Sequence, residues 1–156
     1  MIDKNNTAID LRRKAMDLLA LREHSRFELM RKLHQREFSD DLISQILDQL
    51  EQEMLLSDAR FAESYARMRI RKGFGPRRIA QELQERGISK QLINTVLNES
   101  DTIWAQRAAK VLVKRFGYDL SGALSEQLKR KRFLEYRGFN HEQIELGLEP
   151  NEQFTD

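Results

Sequence analysis

The chain contains no cysteine. That one absence excludes disulfides, thiolate zinc sites, cysteine nucleophiles and iron–sulfur clusters together, and it suits a reducing compartment. Only two prolines and seven glycines occur in 156 residues, too few for the turns that an all-β protein needs, so helix is the expected class. Long apolar runs are missing as well: the longest, Leu18 to Leu21, has four residues. The opening stretch, Met1-Ile-Asp-Lys-Asn-Asn-Thr-Ala8, lacks the apolar segment of a secretory signal. A soluble, cytoplasmic protein with no membrane partner is expected.

What is present is charge, in both signs and in blocks. Lys and Arg number 27 against 25 Asp and Glu, 33% of the chain, for a net charge of +2. The 40% of apolar residues is enough to close a core. Lys4 to Arg36 holds nine basic residues against four acidic, whereas Ser39 to Asp58 holds six acidic and no basic one. Arg60 to Arg86 has eight against three, Arg107 to Arg137 has nine against three, and Asn140 to Asp156 has five acidic residues and no basic one. Recurring basic blocks can form a stripe facing a polyanion or an acidic groove.

The chain also repeats at about fifty residues. Leu33, Arg36, Phe38, Ile43 and Leu47 return as Leu83, Arg86, Ile88, Ile93 and Leu97, and again as Leu134, Arg137, Phe139, Ile144 and Leu148. In the second and third copies Gly87 and Gly138 can take the left-handed conformation that ends a helix, and Ser39, Ser89 and Asn140 suit the N-cap of the next. The first copy has Glu37 where the others have glycine. Upstream of each unit lies a longer helix, near Ala8 to Arg22, Asp58 to Lys72 and Thr102 to Phe116. Ser25-x-x-Glu28 reads as a capping box and Gly75-Pro76 as an N-cap followed by a first-turn proline, while Ser121 or Ser125 is the candidate opener of the third middle helix. The expected architecture is all-α: an elongated, curved array of three tandem three-helix repeats, at residues 8–56, 57–100 and 101–149, with a polar, frayed tail at 150–156.

Chemistry is sparse. His24, His34 and His141 occupy no metal-ligand spacing, and surface or capping roles are expected for them. Gly73-Phe-Gly75-Pro-Arg-Arg78 looks at first like a phosphate-binding glycine loop, but it follows no strand and lacks the third glycine, so a helix–helix turn is the better reading. No serine sits in a nucleophile elbow, and no carboxylate pair is isolated among apolar residues. An enzyme, a cofactor and a metal are not expected.

The binding candidates are cations. Arg60, Arg67 and Arg71 fall on a common arc of one helix, away from its apolar stripe of Phe61, Tyr65 and Met68, and the arc runs on into Lys72, Arg77 and Arg78. Lys129, Arg130, Lys131 and Arg132 form a second cluster, which as four consecutive residues wraps a helix too widely to face one partner. The plainer account is a solvated surface partly paired with the acidic segments. Arg36, Arg86 and Arg137 have their own structural account, as cations near the negative end of a helix dipole.

Four phrases then carry a resemblance. Leu18-Leu-Ala-Leu-Arg-Glu-His-Ser-Arg-Phe-Glu-Leu29, Ser57-Asp-Ala-Arg-Phe-Ala-Glu-Ser-Tyr65, Gly75-Pro-Arg-Arg-Ile-Ala-Gln-Glu-Leu83 and Arg132-Phe-Leu-Glu-Tyr-Arg-Gly-Phe139 together resemble the RecX family of bacterial recombination regulators, over residues 10 to 148. The resemblance implies a modulator of the RecA recombinase that sits in the groove of the RecA filament on single-stranded DNA. Its implied effect is inhibition of recombinase, ATPase and coprotease activity, and so of DNA repair and the SOS response. Single-stranded DNA is an implied direct partner, with duplex DNA a further candidate; a monomer is expected. Arg60, Arg67, Arg71, Lys72, Arg77 and Arg78 are the leading expected contacts, with Lys129, Arg130, Lys131 and Arg132 second. A direct helix-turn-helix DNA-binding regulator is the competing class, and a passive helical scaffold the third.

Overall fold

In a computed structural model, residues 4–34 and 38–149 are described, and among them the chain is helical throughout with no strand. The nine helices are α1 (Lys4–Leu21), α2 (Arg26–His34), α3 (Asp40–Gln52), α4 (Asp58–Arg71), α5 (Pro76–Glu85), α6 (Lys90–Val96), α7 (Asp101–Phe116), α8 (Leu124–Arg137) and α9 (His141–Leu148). The turn at Arg36 and Glu37 and the tail at 150–156 lie outside the described residues. None of these helices is long and apolar enough to cross a membrane.

The helix ends follow the local chemistry. Ser25 and Glu28 form the capping box: the Glu28 amide donates to Ser25 Oγ and the Ser25 amide to Glu28 Oε1, each at 3.1 Å. Ser39, Ser89 and Ser100 cap α3, α6 and α7 by accepting from the amides of Leu42, Leu92 and Ile103. Asn140 and Gln143 build a second capping box at the start of α9. Pro76 is the first residue of α5, where its missing amide hydrogen costs nothing. Gly87 and Gly138, at φ +78° and +100°, end α5 and α8 in the left-handed region.

One cap differs from expectation. α8 opens after Ala123 with no side-chain cap, so neither Ser121 nor Ser125 does that work. Ser121 is engaged elsewhere, its hydroxyl and amide both bonding Asp119 Oδ1. α1 and α7 also start earlier than the sequence pattern suggests, at Lys4 and Asp101.

The chain divides into two compact units. The first comprises Met1–Tyr65 and Leu83–Ile93, the second Ala66–Glu82 and Asn94–Asp156. In the first, Leu11 and Ala15 of α1, Leu29 and Leu33 of α2, and Ile43, Ile46, Leu47 and Leu50 of α3 form one buried cluster closed by Leu56. In the second, Trp104, Ala108 and Leu112 of α7 are buried, as are Leu134 of α8, Phe139 of the α8–α9 turn and Ile144 of α9. A Cβ on Gly147 would lie 2.9 Å from the Ala105 carbonyl oxygen, so α9 crosses α7 at a distance that only glycine permits. The repeated leucines Leu33, Leu83 and Leu134 are all fully buried, which gives the fifty-residue period a packing cause.

Candidate functional site

The ten cations singled out from the sequence separate into two groups once their neighbours are known. Four are engaged within the chain. Arg60 Nε donates to Glu23 Oε1 at 2.9 Å and its Nη1 to the Met54 carbonyl at 2.8 Å. Arg78 stacks on two rings, 4.5 Å from the Phe74 centroid and 5.1 Å from that of Tyr136. Arg130 is buried and donates to the carbonyls of Leu120, Ser121 and Asp119, holding the α7–α8 connection. Lys131 pairs with Glu145 at 2.8 Å.

The other six leave their side chains uncommitted. Arg67, Arg71, Lys72, Arg77, Lys129 and Arg132 are exposed and make no ion pair among the described residues. Arg67 and Arg71, one turn apart, lie on the same side of α4. Along α8 the cluster of four splits as its helical wrap requires: Arg130 faces inward, Lys131 is paired, and Lys129 and Arg132 are exposed.

Arg71 and Lys72 also border a cavity of about 540 Å³ in the second unit. Its opposite wall is α7, where Arg107, Lys110, Lys114 and Arg115 line the same space, and Arg137 of α8 closes one side. Ile70, Val111 and Phe133 supply its apolar surface, and no acidic residue lines it. Arg137 is held there by donation to the Lys72 carbonyl at 3.0 Å and by stacking on Phe133 and Phe74. Arg107 is paired through Nη2 with Glu99 at 2.9 Å, while its Nη1 is buried without a hydrogen-bond partner. In the sequence the α7 cations are part of a basic block and are not among the contact candidates. Their spacing at positions 107, 110 and 114, i, i+3 and i+7, was the signal that puts them on one helix face.

The first unit also holds a cavity, and its lining is different in kind. A cavity of about 390 Å³ is lined by Phe27, Glu28, Arg31, Lys32, Glu85 and Arg86, so both signs of charge meet there. Nearby His24 is buried, not on the surface as its polarity suggests, because both ring nitrogens find partners: Nδ1 donates to the Arg22 carbonyl at 3.1 Å and Nε2 accepts from Lys32 Nζ at 2.8 Å. Burial, with Arg22 and Lys32 adding to it, holds the imidazole below its usual pKa. Glu28, which accepts from Arg22 and from the Ser25 amide, is held below the usual carboxylate value by those hydrogen bonds, against the opposing pull of burial.

Two models of known three-helix domains match the chain: the first RecX domain over residues 12–50 and the second over residues 57–97. The regulatory protein RecX of Pseudomonas entomophila is 45% identical over 139 residues, which cover 89% of this chain and 90% of that protein. The chain belongs to the RecX family. The regulatory protein RecX of Pseudomonas putida KT2440 is likewise 45% identical, over 89% of each chain. Among solved structures, RecX from Lactobacillus salivarius superimposes with a TM-score of 0.77 at 25% identity, covering 90% of this chain and 94% of that one. A second crystal structure of a regulatory protein RecX superimposes at 0.75 with 24% identity, covering 94% and 78%, and supports the fold alone. Within the RecX match, Arg60, Arg67, Arg71, Lys72, Arg77 and Arg78 all fall in the second domain, while the α7 row of the cavity lies after its end.

Proposed function

We propose that this RecX-family chain is a negative regulator of RecA, seated in the groove of the RecA filament on single-stranded DNA and lowering its recombinase, ATPase and coprotease activities in the cytoplasm. The observation that carries the reading is the 45% identity, across nine-tenths of their length, to proteins named regulatory protein RecX. Exposed cations that make no ion pair among the described residues are the leading contacts: Arg67, Arg71, Lys72 and Arg77, with Lys129 and Arg132 second. Arg60, Arg78, Arg130 and Lys131 are weaker candidates, since a partner would first have to break the internal contacts that they make. Many modest contacts spread along the chain gain strength by their linkage.

The test is RecA ATP hydrolysis on long single-stranded DNA, titrated with this protein after filaments have formed. Inhibition well below one molecule per RecA protomer, persisting in excess DNA, supports filament regulation. Folded protein that saturates DNA without slowing hydrolysis rejects it and favours a direct DNA-binding regulator.

A further inference from the structure

The cavity walled by α4, α7 and α8 has properties that the surface cations lack. It is concave, its volume of about 540 Å³ falls in the range of about 300–1,000 Å³ typical of small-ligand sites, and it is lined by cations with no carboxylate among them. Lys110 and Lys114 stand four residues apart on α7, so each repels the other, and neither has an ion-pair partner among the described residues. Such a concentration of like charge is relieved by an anion. Arg107 lines the same wall but is already paired with Glu99 and stacked on Trp104, so the uncompensated charge on α7 is that of Lys110 and Lys114.

The apolar part of the lining narrows the ligand further. A bare phosphate or sulfate makes no use of Ile70, Val111 and Phe133, whereas a nucleotide does, because its base has an apolar face and its phosphates lie to one side. Phe133 is fixed for such a contact by an edge-on packing against Phe116, with ring centroids 5.4 Å apart. The α4–α5 turn comes close to this floor through Gly73, at φ +90°, where a Cβ would stand 3.1 Å from Val111 Cγ2. Along α7, Arg107 to Lys114 spans roughly 10 Å at 1.5 Å per residue, long enough to meet more than one phosphate.

We propose that this cavity is a nucleotide-binding site, with the base against Val111 and Phe133 and the phosphates along Arg107, Lys110 and Lys114. The same chemistry is offered by a free nucleoside polyphosphate and by a nucleotide unit of a single strand. The proposal does not rest on the RecA reading, since its test contains no RecA.

The experiment uses the full chain and three probes at one salt concentration: a fluorescent ATP analogue, a labelled oligothymidylate and inorganic tripolyphosphate as competitor. Binding of the ATP analogue identifies the free nucleotide as a source, and binding of the oligonucleotide alone identifies the strand; either supports the site. Lys110→Glu/Lys114→Glu should weaken binding by at least about tenfold. On the oligonucleotide it should also reduce the slope of log affinity against log salt by about 1.4, at about 0.7 per lost phosphate contact. Should that variant not fold by circular dichroism, Lys110→Gln/Lys114→Gln replaces it. Phe133→Leu should weaken both nucleotide probes while leaving tripolyphosphate unaffected. The proposal is overturned if neither nucleotide probe binds, if the folded charge variants bind as the parent does, or if Phe133→Leu leaves nucleotide affinity unchanged.

Discussion

The hydroxyl of Ser25 donates to the carbonyl of Arg86 at 2.8 Å, sixty-one positions along the chain. The amide of Gly75 donates to the carbonyl of Arg137, also at 2.8 Å. Ser25 and Gly75 each precede the middle helix of one repeat, and Arg86 and Arg137 are the recurring arginines near the end of the middle helix of the next. The first bond belongs to the first compact unit and the second to the other. In each, the glycine after the arginine packs close: a Cβ on Gly87 would stand 2.5 Å from Phe27 Cβ, and one on Gly138 would stand 2.6 Å from the Arg78 amide nitrogen. The arginine–glycine pair therefore recurs because its carbonyl and its left-handed turn meet the start of the preceding middle helix, in addition to any dipole benefit.

Ser25→Ala removes the bond to Arg86 and the cap on the Glu28 amide together. A loss of about 1–2 kcal/mol is expected, or about 2–4 °C in Tm per kcal/mol for a chain of this size. Thermal melting beside Ser64→Ala, an exposed position on α4, checks it; equal melting temperatures would show that the contact contributes nothing net.

Gly75→Ala tests the close approach without invoking backbone strain. An alanine at a compatible glycine ordinarily stabilises by about 0.4–1 kcal/mol. Here the new Cβ would lie 2.6 Å from the Gly138 carbonyl carbon and the Phe139 nitrogen, both backbone atoms that cannot swing away. Destabilisation of about 1–3 kcal/mol is expected, and chemical denaturation with a midpoint at or above that of the parent would contradict this packing.

The helices were legible because apolar spacing, capping residues and the fifty-residue period pointed the same way at Leu33, Leu83, Leu134, Ser25, Gly87 and Gly138. The opener of α8 was not, because the helix starts after Ala123, which leaves Ser121 two residues before the cap position, bonded to Asp119, and Ser125 already inside the helix. His24 was misplaced for a similar reason: its burial depends on the Arg22 carbonyl and Lys32, and the Lys32 contact, eight residues away, is set by folding. Charge blocks located the basic stretches but not their use. Whether an arginine is exposed like Arg67 or stacked like Arg78 is decided by the rings and carboxylates that packing brings beside it.

His24 gives stability a pH dependence with a definite sign. Its pKa is lower in the folded chain than its ordinary value of 6.5, so below that value the unfolded chain takes up a proton that the folded chain refuses. The contribution is complete above about pH 6.5 and is lost as pH falls from there to the folded pKa, with a slope of at most about 1.4 kcal/mol per pH unit. Glu28, held below the usual carboxylate value, loses its contribution only in more acidic solution. Urea midpoints between about pH 7 and 5.5 should therefore drop for the parent and drop less for His24→Gln; parallel profiles would remove His24 as the cause.

Arg67→Glu/Arg71→Glu reverses two exposed cations on one side of α4 that make no ion pair among the described residues. If that face meets RecA or its DNA, the concentration for half-inhibition of ATP hydrolysis should rise by about tenfold, equivalent to about 1.4 kcal/mol. Helicity should hold and Tm should fall by only a few degrees, since neither side chain has an ion pair to lose among the described residues and only Arg71, at the end of α4, gives up a favourable place at the helix dipole. Unaltered inhibition by the folded variant would take this face out of the contact set.

Arg130 and Arg132, two residues apart in one basic run, should respond in opposite ways. Arg130 is buried and its guanidinium serves three carbonyls of the α7–α8 connection. Arg130→Ala leaves those carbonyls without their donor, at a cost of about 1–3 kcal/mol, and should speed amide exchange and proteolytic cleavage around Tyr118 to Gly122. Arg132 is exposed and makes no ion pair among the described residues, so Arg132→Ala should leave melting and exchange as they are and, on the proposed RecA reading, lower affinity for the filament. A purely electrostatic cluster would instead give two variants with the same weakened affinity and unchanged exchange. Measuring both quantities on both variants decides whether the run Lys129 to Arg132 acts as one basic patch or as a structural residue flanked by contact residues.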